Sequence, residues 1–126
     1  MSAMAAELAD ALARTAGKSC AISDREAELA AAGGAIKDIL EKSVSAELEQ
    51  LMEQRIIYAR GESSLPDIPL SGRDGYRLVT AVPVITDGDV SGCVAFISEK
   101  EDTASSEVLL GLCQSAAQFL SRRIAV

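Results

Sequence analysis

The 126-residue chain is long enough for one compact domain with a single core and too short for two. Its hydrophobic fraction of 48% and charged fraction of 25% are typical of a globular protein, which excludes disorder along the whole chain. The formal net charge is −7, and the basic residues are scattered singly apart from Arg122 and Arg123, so the clustered positive charge that nucleic acid requires is missing. We therefore expect one domain without direct nucleic-acid contact.

The side chains that most often carry metal and acid–base chemistry are scarce. The sequence has no histidine, which removes the commonest general base and the commonest transition-metal ligand. Cys20, Cys93 and Cys113 form no C-x-x-C pair, and the N-terminus shows neither a signal-peptide pattern nor a long apolar run. These features predict a reduced, cytoplasmic protein with no membrane segment, no metal and no cofactor.

The first half of the chain mixes helical and strand patterns. Apolar spacing predicts a helix from Ala3 to Ala16, apolar on nearly all sides, that stops at Gly17. Two short apolar runs around the polar turn at residues 24–26 indicate a pair of strands, KSCAIS and AELAAA. Helices are then predicted from Ala35 to Leu40 and from Ser45 to Ile57.

The second half is dominated by β-branched segments. Residues 59–75 contain two prolines and three glycines, which is typical of a long connection with one edge strand. Tyr76–Thr86 and Val90–Ser98 are apolar on both faces, which predicts two central strands with a bulge or a gap in pairing at Pro83. The final helix, from about Asp102 to Ile124, has an apolar arc of about 200°, where roughly 100° suffices to cover a sheet. It should therefore bury a second surface.

The segment DGDVSG, residues 87–92, matches the first six positions of a calcium-binding loop. Asp87, Asp89 and Ser91 would be the ligands, but position twelve is Ser98 instead of a carboxylate, and the flanking sequences predict strands instead of helices. Asp87-Gly88 between two apolar runs is typical of a tight turn, because Gly adopts a positive φ without steric cost. We predict a β-hairpin without a metal ion.

The order of these elements resembles that of a GAF domain, an α+β sensor module related to PAS domains. In such domains the N- and C-terminal helices pack on one face of an antiparallel sheet. Four stretches carry a closer resemblance, to the C-terminal domain of the stage V sporulation protein T family of AbrB-type regulators: AISDREAELAAAGG, KDILEKSVSAELEQLMEQR, VPVITDGDVSGCVAFIS and AAQFLSRRI. The resemblance implies one GAF-like domain over residues 3–124, acting as a non-enzymatic effector, oligomerisation or sensor domain of a sporulation transcription regulator.

In this family an AbrB-type DNA-binding domain precedes the region that resembles the chain. No such sequence stands before Ala3. The resemblance therefore implies that DNA is bound by that other domain, and that the chain is either an excised part of a regulator or a stand-alone relative. The acidic net charge agrees with an isolated effector domain.

GAF domains often hold a small molecule on the sheet face opposite the terminal helices. The resemblance implies that the walls of such a pocket come from six residues on or near the central strands: Ile22, Tyr58, Tyr76, Val82, Val84 and Cys93. The alternative is that they are ordinary core residues, as apolar strand residues usually are. The N-K-x-F-x-D-E motif associated with cyclic-nucleotide binding is absent, so the ligand would be another small molecule.

Two functions follow from the helices and the cysteines. The wide apolar arcs of both terminal helices favour a homo-oligomer, a dimer joined by a four-helix bundle. Six residues should divide between the sheet and the partner: Leu8, Leu12, Leu109, Leu112, Ala116 and Phe119.

The alternative is a stand-alone small-molecule-binding or thiol-redox module, since some GAF-fold enzymes reduce free methionine sulfoxide with cysteines. Buried cysteines are usually inert, which disfavours the redox function.

Overall fold

The computed structural model describes residues 2–25, 28–33, 46–60, 77–98 and 106–124. These residues form eight elements in chain order: α1 (Ser2–Ala16), β1 (Ser19–Ser23), β2 (Glu28–Ala32), α2 (Ala46–Gln54), β3 (Tyr58–Ala59), β4 (Arg77–Thr86), β5 (Asp89–Ser98) and α3 (Glu107–Ile124). Each of them lies within or beside an element that the sequence predicts. The helix predicted over residues 35–40 lies outside the described residues, as do Tyr76 and residues 61–75 of the predicted connection.

The strands form one antiparallel sheet in the order β2-β1-β5-β4-β3. β5 is the middle strand and β4 lies beside it, so the prediction of two central strands is confirmed. β3 is only two residues long and pairs with Thr80 and Ala81. The remainder of β4, from Val82 to Thr86, therefore extends beyond the end of β3.

The predicted hairpin joins β4 to β5. Asp87 and Gly88 have φ values of 52° and 85°, and they connect the paired residues Thr86 and Asp89. Two successive residues with positive φ are typical of the type I′ turn, whose twist matches that of the flanking strands. The hairpin prediction is confirmed, whereas the expected lack of calcium binding stays a prediction.

The irregularities of the β4–β5 pair lie on either side of Pro83. Pro83 pairs in register with Cys93, while the register shifts between Leu78 and Thr80 and again between Val84 and Ile85. The prediction of a bulge or gap at Pro83 is therefore wrong in position. Alternate pairs of an antiparallel ladder exchange no backbone hydrogen bonds, so proline can occupy such a pair without interrupting it.

Both faces of the sheet are covered. α1 packs on β1 and β2, and α3 packs on β4 and β5, on the same face of the sheet as predicted. Their shared core includes the buried side chains of Ile22, Phe96 and Leu120. The opposite face packs against α2 in a second core that includes Leu48, Leu78 and Ile97.

Local signals fix the helix ends. α1 stops at Gly17, which has a φ of 67° and donates its N–H to the Ala13 carbonyl at 2.8 Å. α3 begins one residue after Ser106, whose hydroxyl accepts a hydrogen bond from the Leu109 N–H at 3.2 Å. Ser106 therefore caps α3, and residues 102–105 lie outside the described part of the chain.

Candidate functional site

The sheet separates the residues predicted to line one pocket. Ile22, Val82 and Val84 lie in the core beneath the terminal helices, whereas Tyr58 and Cys93 lie in the core on the opposite face. Successive side chains of a strand point to opposite faces, so adjacent residues such as Cys93 and Val94 cannot share one. The prediction is therefore corrected: Ile22, Val82 and Val84 do not line the face opposite the terminal helices. Tyr76 lies outside the described residues.

The opposite face of the sheet, termed the α2 face, combines small apolar residues with a few polar ones. Its floor includes the buried alanines Ala21, Ala31, Ala81 and Ala95. Tyr58 and Cys93 are also buried there, at 1% and 2% exposure. Hydroxyl and thiol groups of this kind can orient a polar ligand.

Ser23 is the one polar residue of this face that the sequence analysis missed. It pairs directly with Cys93 across β1 and β5, so both side chains point to the same face. The Ser23 side chain is buried at 5% exposure, and its hydroxyl has no hydrogen-bond partner among the described residues. An unsatisfied buried hydroxyl costs about 1–3 kcal/mol, and such a group in a native fold needs an explanation. The sequence signal that could have indicated this residue is a serine at the end of an otherwise apolar strand, SCAIS.

Replacing Ser23 with alanine tests whether the hydroxyl is unsatisfied in the ligand-free protein. Because alanine removes the unpaired polar group, we expect the free energy of unfolding to rise by about 1 kcal/mol in urea denaturation. The matched control is Ser91→Ala on β5, whose hydroxyl donates to the Val84 carbonyl at 3.2 Å and lies 3.0 Å from the Thr86 hydroxyl. That variant should lose about 1 kcal/mol. A loss of similar size in Ser23→Ala would show that Ser23 is satisfied.

All three cysteines are buried, and none of them forms a disulfide bond. Burial raises the pKa of Cys20 to about 12, with a smaller contribution from the neighbouring Cys93. Burial also raises the pKa of Cys113 strongly, with smaller contributions from Cys20 and then Cys93. Reactive cysteines need a lowered pKa and access to solvent, so Cys20 and Cys113 have the opposite properties.

We therefore expect slow thiol labelling of the native protein at pH 8. With a pKa of about 12 instead of 9.0, Cys20 has about a thousandfold less thiolate at that pH, and burial restricts access further. Reaction with an aromatic disulfide reagent should take hours in buffer and release three equivalents within minutes in denaturant. Rapid release of one equivalent from the folded protein would contradict this result and reopen the thiol-redox function.

The six predicted interface residues on the terminal helices divide as follows. Leu12, Leu109 and Ala116 are buried against the sheet. Leu8 and Leu112 are half-buried at the margin of the same core. Phe119 is 40% exposed, and Val108, which was not predicted and lies about three turns earlier on α3, is 69% exposed. The Arg123 guanidinium lies 5.2 Å from the centre of the Phe119 ring. Of the two terminal helices, only α3 has large apolar side chains that are exposed among the described residues.

The hairpin tip is held by the end of α2. Arg55 follows that helix with a φ of 56° and donates from Nη2 to the Gly88 carbonyl at 2.6 Å. Asp87 and Asp89 are exposed on either side of Gly88. Among the described residues, no three His, Cys, Asp or Glu side chains are grouped so as to hold a metal ion. None of the described helices is long and apolar enough to cross a membrane.

Comparison with known proteins identifies the family and the fold. The family model for the stage V sporulation protein T C-terminal domain, a transcription factor, matches residues 1–125. The chain is 32% identical over 120 residues to stage V sporulation protein T of Bacillus subtilis (strain 168), a match that covers 95% of the chain and 66% of that relative's length.

Solved structures that resemble the chain include several GAF domains. The GAF domain of a phosphoenolpyruvate-protein phosphotransferase from Coxiella burnetii has a TM-score of 0.76 at 15% identity, covering 98% of the chain and 82% of that structure. The cofactor-binding GAF domain of the nutrient sensor CodY from Clostridium difficile has a TM-score of 0.63 at 16% identity, covering 94% and 83%. At these identities the likeness shows the fold alone. The chain therefore adopts the α+β GAF fold and belongs to the C-terminal domain family of stage V sporulation protein T, a family of transcription factors.

Proposed function

We propose that residues 3–124 form a single non-enzymatic regulatory domain of a cytoplasmic sporulation transcription regulator. In this proposal the domain joins two copies of the chain through its terminal helices and sets the distance and orientation of DNA-binding domains attached to them. The acidic net charge supports the assignment of DNA contact to another domain, since a phosphate backbone repels a surface of the same sign.

The observation that carries the dimer is the outer surface of α3. Val108 and Phe119 are large apolar residues at 69% and 40% exposure, on a helix that already covers the sheet with its other side. Burying one such side chain contributes about 1.5–3 kcal/mol, so a symmetric contact that buries four of them gains enough to offset much of the cost of association. A two-fold contact between α3 helices uses the same patch twice.

Light scattering of the chain tests this proposal. At tens of micromolar, we expect a mass of about twice the 13.2 kDa of one chain. A mass that remains at 13.2 kDa over this concentration range would contradict the dimer.

We further propose that a small molecule binds on the α2 face, beside Ser23, Tyr58 and Cys93. The unpaired Ser23 hydroxyl supports this site, because a bound polar group would supply the missing hydrogen bond. The CodY domain of the same fold is described as cofactor-binding, which supports a sensor role for the fold in a regulator. A ligand could change the dimer only by binding one arrangement of it more tightly than another.

A thiol-redox function has less support. It needs a cysteine that is accessible and ionised near neutral pH. Cys20 and Cys113 are buried with raised pKa values, and Cys93 is 2% exposed. The non-enzymatic proposal agrees with all three observations.

A further inference from the structure

A groove runs along the edge of β4 beyond the end of β3, between that edge and α3. Its volume is about 420 Å³. The strand side consists of Ile57, Val82, Pro83 and Ile85, and the polar part of the helix side consists of Gln114, Gln118 and Arg122. We call it the β4–α3 groove. It is separate from the α2 face, and its volume lies within the range of small-molecule sites, about 300–1,000 Å³.

In the part of the chain that the structure describes, no strand pairs with β4 beyond the end of β3, so a peptide strand could add there, but two features oppose this. Pro83 has no backbone N–H to offer a ladder. The Ser121 hydroxyl of α3 already donates a hydrogen bond to the Ile85 carbonyl. A peptide would therefore lack backbone partners at two nearby positions of β4. This edge is blocked for strand addition, and a small molecule suits the groove better.

The charge of the groove points to an anion. The chain has 19 acidic and 12 basic residues, yet the described residues that line the groove include no carboxylate, and Arg122 is the only charged residue among them. The neighbouring Arg123 is turned toward the Phe119 ring. A guanidinium presents several N–H donors in a fixed plane that matches a carboxylate, and the amides of Gln114 and Gln118 can donate beside it.

The strand side supplies the apolar part of the site. Ile57 is 47% exposed, so a large apolar side chain at the mouth of the groove remains in contact with water. A bound apolar group would cover it together with Val82 and Ile85. We infer that the β4–α3 groove binds a small monocarboxylic acid with an apolar body, its carboxylate at Arg122 and its body against Ile57.

The test uses 2-naphthylacetate as the probe and its neutral amide as the control, added to the ¹⁵N-labelled full chain in NMR titrations. The acid should cause saturable amide shifts at Val82, Val84 and Ile85 and at residues 114–122. The amide should bind at least about fivefold more weakly, because it lacks the charge that pairs with Arg122.

Matched variants locate the site. Arg122→Gln should weaken binding of the acid at least about fivefold, while Arg123→Gln, with the same loss of charge one residue away, should change it by less than about twofold. Ile57→Glu should also weaken binding of the acid. Because Ile57 is half-exposed, we expect this variant to fold. The inference is overturned by shifts that do not saturate, by equal binding of acid and amide, by equal effects of the two arginine variants, or by shifts confined to the α2 face.

Discussion

Replacing Gly92 with alanine is expected to lower the free energy of unfolding by about 2–3 kcal/mol and the melting temperature by about 10 °C. The chain that leaves β1 passes directly over Gly92, so an added Cβ would overlap the Ser23 carbonyl and press on Asp24 Cα. Both neighbours are backbone atoms, which cannot move aside as a flexible side chain could. Relief would require β1 to separate from β5 at the Ser23–Cys93 pair. Thermal and urea denaturation of the purified chain measure the loss.

Gly111 provides the control for this prediction. It lies within α3, and a Cβ added there meets no atom within 4 Å. Alanine is favoured over glycine in a helix interior by about 0.5–1 kcal/mol, so Gly111→Ala should stabilise the protein while Gly92→Ala destabilises it. If Gly92→Ala leaves the stability within about 0.5 kcal/mol of the wild type, the close approach of β1 is not present in solution.

The role of Gly92 also shows what the sequence could not predict. The D-G-D-V-S-G pattern placed Gly92 at the sharp-turn position of a calcium loop, whereas its neighbours in space are Ser23 and Asp24, about seventy residues earlier. A local pattern reports local geometry, such as the positive φ of Gly88. It does not indicate which residues, distant in sequence, pack their backbone against a given position.

The prediction that Ile22, Val82 and Val84 share a face with Cys93 was wrong for a related reason. Along each strand the alternation of faces follows from the sequence, but the match between strands depends on register. Ile22, Val94 and Val82 form one row across the sheet, on the face of the terminal helices. The adjacent row, Ser23, Cys93 and Pro83, includes two of the polar side chains of the α2 face, those of Ser23 and Cys93. Cys93 and Val82 would share a face only if the β4–β5 register were shifted by one residue, so that Val82 paired with Cys93 instead of Val94.

The elements themselves followed from local signals. Gly17 ends α1, Ser106 caps α3, and Asp87-Gly88 turns the hairpin, each through its own backbone or side chain. The apolar arc of α3 correctly indicated more apolar surface than the sheet needs. It could not tell that Leu109 and Ala116 turn inward while Phe119 turns outward, because that depends on how the helix is rotated on the sheet.

The second large effect is expected at the outer surface of α3. Val108→Asp or Phe119→Asp should each weaken the proposed dimer at least about a hundredfold, because each places two carboxylates in a contact that buries apolar surface. Light scattering over a dilution series should then show monomer where the wild type is dimeric. Folding should be retained, since Val108 and Phe119 are 69% and 40% exposed within one chain and contribute little to its core.

The control for this experiment is Gln50→Asp, which adds the same charge at an exposed position of α2, on the other side of the sheet. It should leave the mass unchanged, because a general increase in negative charge is a weak effect at physiological ionic strength. Phe119→Asp also removes the ring beneath the Arg123 guanidinium, so Arg123→Gln separates the loss of that cation–π contact from the loss of the apolar surface. If Val108→Asp, Phe119→Asp and Gln50→Asp all remain dimeric, α3 does not form the dimer contact, and the domain must join its copies through another surface.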